Sequence, residues 1–144
     1  MADALTSAPS AVEKYFFTPL YYPRGPFDVI WWWERRRLTF NVCVGTAGLA
    51  TLGSMLLLHP MGVRLFLEPG IYAAVALYGV AANACFTAGW AVDLVLRKQL
   101  GIRAPDIAPA LLRYGFVFSV GLTLLPIPVM FAVRVAMAVL GIKP

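Results

Sequence analysis

The sequence predicts an all-α membrane protein: three transmembrane helices, the third kinked at Pro126 and Pro128, preceded by an aromatic, proline-rich interfacial segment. Three observations carry this. First, 60% of the 144 residues are hydrophobic and 13% charged, with mean hydropathy +0.76; a soluble domain is about 45–50% apolar and about 25% charged. That excess of apolar surface needs lipid or a partner protein to cover it. Second, three apolar runs are long enough to span the roughly 20 residues that a hydrocarbon core requires. Third, Trp31-Trp32-Trp33-Glu34-Arg35-Arg36-Arg37 stands directly before the first run. The division that follows is an N-terminal arm and anchor, 1–37, and a three-helix domain, 38–144, with spans near 38–58, 71–96 and 114–134.

Residues 1–14 are small and polar without periodicity and read as an extended arm. Met1 to Val12 lacks a basic region followed by an apolar core, so it does not read as a cleavable signal. The stretch from Tyr15 to Phe27 holds six aromatics and three prolines, which opposes a long regular helix. It suits the interface, where rings bury their faces and hydroxyls stay wet; a position across a neighbouring subunit is the alternative. Tryptophan favours the headgroup layer and arginine the cytoplasmic side, so Trp31, Trp32, Trp33, Arg35, Arg36 and Arg37 are expected to anchor the chain in anionic lipid headgroups.

The first span, 38–58, is uncharged and carries Thr46, Ala50 and Ser54 at i, i+4, i+8, a small-residue stripe suited to close helix packing. It ends at His59-Pro60. In the second span, 71–96, Ala81, Cys85 and Gly89 form a similar stripe. Asn83 lies near its middle, where a buried amide needs partners and reads first as a tie between helices. Asp93 and Arg97, four residues apart, are expected to form a surface ion pair. The third span holds Gly115, Ser119 and Thr123 before Pro126 and Pro128 interrupt it. One kinked crossing, with Arg134 reaching outward to the headgroups, is preferred over two half-helices that turn back.

Charge supplies orientation. Arg35, Arg36 and Arg37 precede the first span, and Arg97, Lys98, Arg103 and Arg113 surround the second loop, whereas the first loop has only Arg64. The positive-inside rule places the N-terminus in the cytoplasm and the C-terminus in the periplasm of a bacterial inner membrane. Basic residues beside apolar runs, despite a net charge of +5, argue for lipid contact and against nucleic acid.

The string Pro19-Leu20-Tyr21-Tyr22-Pro23, with Trp33-Glu34, Arg36-Arg37 and Asn41 after it, resembles small uncharacterised bacterial multi-pass proteins whose first helix opens on a W-E-x-R-R-x-x-x-N-like pattern. The likeness covers the first third of the chain. It implies a bacterial inner-membrane protein and supplies no activity.

Candidates for chemistry are few. Cys43 and Cys85 fall inside spans and read as small hydrophobes; no CxxC or zinc spacing occurs, and no metal site is expected. His59, the single histidine, is a candidate ligand for haem or chlorophyll, weighed against an interfacial hydrogen bond. No nucleophile–base pair, phosphate loop or paired carboxylates occur, so no catalytic residue is assigned and no enzyme is expected. The expected function is that of a non-catalytic accessory subunit, with other membrane subunits as partners, in a larger complex. A photosynthetic or respiratory electron-transport assembly is the natural host by analogy. The alternatives are a homo-oligomeric transporter or channel component built around Asn83 and the proline break, and a pigment- or haem-binding subunit using His59.

Overall fold

The computed structural model describes residues 10–20, 25–58, 62–99 and 106–141. Helix α1 is Ala11–Phe17, α2 Pro26–Leu58, α3 Pro69–Gln99, α4 Ile107–Leu124 and α5 Pro126–Val139; a short 3-10 helix, Gly62–Leu67, lies between α2 and α3. No strand occurs among the described residues. α2, α3 and the α4–α5 pair are each long and apolar enough to cross a membrane. The protein is a bundle of three such helices.

Each boundary has a local cause. The Ser10 hydroxyl accepts from the Glu13 N–H at 3.1 Å and caps α1, so part of the expected extended arm is helical. α2 starts with Pro26, whose missing N–H is harmless in a first turn. It then runs unbroken through the expected boundary at 37/38, so the tryptophan–arginine run is the first part of the spanning helix itself. Gly62, at φ +49°, opens the 3-10 turn in a conformation costly for other residues.

The third span bends at Leu125. Pro126 and Pro128 have no N–H to give to carbonyls four residues earlier. Leu125 nevertheless keeps helical geometry and donates to Gly121 O at 2.9 Å, so α5 continues from α4 as a bent crossing. Thr51 on α2 donates to Thr123 O at 2.7 Å, and Tyr78 on α3 bonds Thr123 Oγ1 at 2.6 Å. All three helices are thus tied together just before the bend.

The core follows the 3.6-residue period of α2. Val29, Trp32, Trp33, Phe40 and Val44 meet Ala82 and Phe86 of α3 and Ala108 and Leu112 of α4. Its aromatic centre is a chain of edge contacts, Trp33–Phe86 at 5.4 Å and Phe40–Phe116 at 6.3 Å between centroids.

Two of the expected packing stripes face mostly away from the chain's own helices. Thr46 and Ala50 are exposed and Ser54 is half-buried, while Ala47 and Thr51 face inward. The Thr46 and Ser54 hydroxyls return to their own helix, at Val42 O and Ala50 O, both at 2.8 Å. Ala81 and Cys85 are exposed, whereas Ala82 and Phe86 are buried. The aromatic face turns inward instead, with Trp33, Phe40 and Phe86 filling the space between α2 and α3. In the third stripe Ser119 and Thr123 are buried and Gly115 is exposed.

Candidate functional site

Polar chemistry concentrates along the first three turns of α2 and the facing turns of α3. Six residues expected to anchor in headgroups occupy this segment, and the helix sends them in different directions. Trp31 is 66% exposed and Arg35 is exposed, as an anchor requires. Trp32, Trp33 and Arg36 are buried, which corrects their assignment to the lipid interface. Consecutive helical residues are 100° apart, so three adjacent tryptophans cannot share one environment.

Arg36 is enclosed by aromatic and carbonyl groups. Its guanidinium sits 3.7 Å from the centroid of a Trp32 ring and 5.5 Å from that of Tyr15. Nε donates to Tyr15 O at 2.8 Å and Nη1 to Trp32 O at 2.7 Å. Trp32 Nε1 donates to Thr18 O at 3.2 Å, and the Tyr15 hydroxyl to Arg35 O at 2.5 Å. Phe16 meets Phe116 of α4 edge-on at 5.7 Å. The aromatic segment therefore folds back on its own bundle over residues 15–20.

Arg37 organises a second group. Glu34 accepts from its Nε and Nη2 in a bidentate pair at 2.7 Å each. Nη1 donates to Asn83 Oδ1 at 3.3 Å and Nη2 to Thr87 Oγ1 at 3.0 Å. Asn41 Nδ2 also donates to Asn83 Oδ1, at 3.2 Å, and Asn83 Nδ2 returns to Gly79 O at 3.0 Å. Two donors converging on one oxygen fix the orientation of the Asn83 amide. Asn83 thus joins α2 to α3, as its position in the span suggested.

Asp93 is the most buried charge. It is 0% exposed, accepts from Arg97 Nε at 2.7 Å and from Trp33 Nε1 at 3.1 Å. The pairing at i+4 is as expected, but the surface location is not, because Trp33 covers the carboxylate. Gly89 makes this possible: a Cβ there would lie 2.9 Å from Trp33 Cη2. Of the second stripe, Gly89 alone is half-buried against an aromatic partner. Arg97 Nη2 and Trp90 Nε1 are buried without a partner among the described residues.

Farther along the bundle, Arg134 Nε donates to Leu58 O at the end of α2. His59, the candidate ligand, lies outside the described residues, as does Pro60. Among the described residues no group of three or more His, Cys, Asp or Glu residues gathers to hold a metal.

Below the Arg37 network a groove of about 550 Å³ runs between α2 and α3, floored by Thr123 and Pro126. Its walls are apolar except where Asn41 and Asn83 close one end and Thr51, Tyr78 and Thr123 lie midway. Sequence reading found Asn83 but gave no role to Glu34, Thr87 or Tyr78. The i+4 spacing of Asn83 and Thr87 was the available signal, since it puts both opposite Arg37.

No protein-family model, curated protein or solved structure matches this chain.

Proposed function

We propose that this chain is a non-catalytic accessory subunit of a larger membrane complex, placed in a bacterial inner membrane with its N-terminus cytoplasmic and its C-terminus periplasmic. The supporting observation is the outward surface of α2 and α3. Thr46, Ala50 and Gly53 on one helix and Ala81, Ala84 and Cys85 on the other are small, and all are exposed. Small residues gain little from lipid tails but let a foreign helix backbone come close, which is how helices associate without a water-driven force. The charged groups between the helices are engaged inside the chain: Arg37 with Glu34, Arg97 with Asp93. Such pairing suits a scaffold, whose charges hold helices together.

Purification of the full chain from its native membrane in mild detergent tests this reading. Wild type is expected to run in a stable hetero-complex. Ala50→Phe and Ala81→Phe are expected to insert normally but lose the partners, whereas Leu57→Phe, at a 79% exposed position, keeps them. A wild-type chain that purifies as a monomer, or stripe variants that retain every partner, would end the proposal. A homo-oligomer would point to the transport alternative.

A further inference from the structure

We infer that the groove between α2 and α3 holds one acyl chain of an ester-linked membrane lipid, with the ester carbonyl received by the amides of Asn41 and Asn83. The groove follows α2 from Asn41 to Met55 and α3 from Ile71 to Asn83. At 1.5 Å per residue this is a length of about 20 Å, more than the ~15 Å of one leaflet of a ~30 Å hydrocarbon core. Spread over that length, 550 Å³ is a cross-section of about 27 Å². A groove of this length and narrow section accommodates an extended alkyl chain. Leu49 and Val75 on the rim are exposed, so the groove communicates with the surroundings between the two helices.

The polar end selects the chemistry. An amide NH2 carries two N–H groups. Asn41 Nδ2 spends one on Asn83 Oδ1, and Asn83 Nδ2 spends one on Gly79 O. Each therefore keeps a second N–H without a partner among the described residues, on a surface that lines the groove. An amide N–H facing hydrocarbon is unfavourable unless an acceptor meets it. What is missing is a carbonyl. An anionic acceptor is not called for, because Glu34 already neutralises Arg37, the cation nearest this end. Asn41 also lies one helical turn, about 6 Å, beyond Arg37. That is the layer between headgroups and chains, where the ester carbonyls of a lipid lie.

Two glycines make the test clean. Gly45 and Gly79 line opposite walls, and a Cβ at either meets nothing within 4 Å. Leucine at both positions fills the groove without disturbing the core. The full chain, stripped of lipid in detergent, is titrated with dioleoyl phosphatidylglycerol and with its di-ether analogue, which has the same headgroup and chains but no carbonyl. Binding is read by native mass and by thermal stability. Wild type is expected to bind one diester lipid per chain, about tenfold more tightly than the ether, as one or two hydrogen bonds allow. Asn41→Leu should lower that preference severalfold, leaving only the Asn83 N–H, while retaining chain binding. Gly45→Leu with Gly79→Leu should abolish both. Equal affinity for ester and ether, or lipid retained by the double-leucine variant, overturns the inference. So does a quinone recovered from the wild-type chain at one per protein, identified by its ultraviolet absorbance, with phospholipid exchanging freely.

Discussion

The Trp33 indole occupies the space that a side chain at position 89 would need. A Cβ on Gly89 would stand 2.9 Å from Cη2 and 3.0 Å from Cζ3, and the indole cannot retreat because its Nε1 is bonded to Asp93. Gly89→Ala should therefore lower thermal stability in detergent by about 1–3 kcal/mol, the usual range for overpacking. Gly89→Leu should do so more severely. Gly45→Ala, in open space, should raise it by up to about 1 kcal/mol through helix propensity. Equal effects at 45 and 89 would contradict the packing described.

Asp93 and Arg97 form a buried pair whose halves depend on each other. Asp93→Leu leaves the Arg97 guanidinium unpaired and takes the acceptor from Trp33; the loss should be about 3–5 kcal/mol. Arg97→Met added to Asp93→Leu should recover part of it, since two apolar groups strand no charge. A double-mutant cycle with no coupling would show that the pair contributes nothing.

Arg36→Lys keeps the charge but loses the planar group stacked on Trp32 and the two-sided donation to Tyr15 O and Trp32 O. Residues 11–20 should exchange amide hydrogens faster and become sensitive to protease, with α2 to α5 unchanged. Arg35→Lys, at an exposed position, should leave the segment protected.

Orientation is open to direct measurement. Reporter fusions at Gly62 and at Pro144 should both read as exported if positive charge sets the topology. Replacing Arg35, Arg36 and Arg37 together should scramble that pattern. A cytoplasmic reading at Pro144 with Gly62 still exported would require α5 to turn back at Leu125, against the continuous helical geometry found there; a cytoplasmic reading at both would invert the whole bundle.

The three crossings were legible because apolar length is a one-dimensional property that any neighbour leaves intact. Which face of a helix turns inward is relational, and there the sequence was ambiguous. Thr46-Ala50-Ser54 and Ala47-Thr51 are equally periodic, and the position of Trp32, Trp33 and Phe40 on α2 decided between them. The same aromatic face explains Asp93. Four residues before an arginine it looks like a surface acid, yet it is buried and bonded to Trp33, sixty residues away. Asn83 was legible because an amide deep in an apolar span has few alternatives to a cross-helix bond. The groove was not, since it arises from the gap between α2 and α3 where no large side chain enters.

The contact between Phe16 and Phe116 sets an order of events during synthesis. Phe16 leaves the ribosome a hundred residues before the ring it will rest on, and both α2 and α3 must be threaded through the bilayer in the interval. The earliest aromatic segment thus waits, its Tyr15 and Thr18 carbonyls able to engage Arg36 and Trp32 but its outer ring face bare, until the opening turns of α4 arrive on the same side. The N-terminal clasp can therefore close only late in synthesis, after α2 and α3 have been made and residue 116 has come to the same side as residue 16.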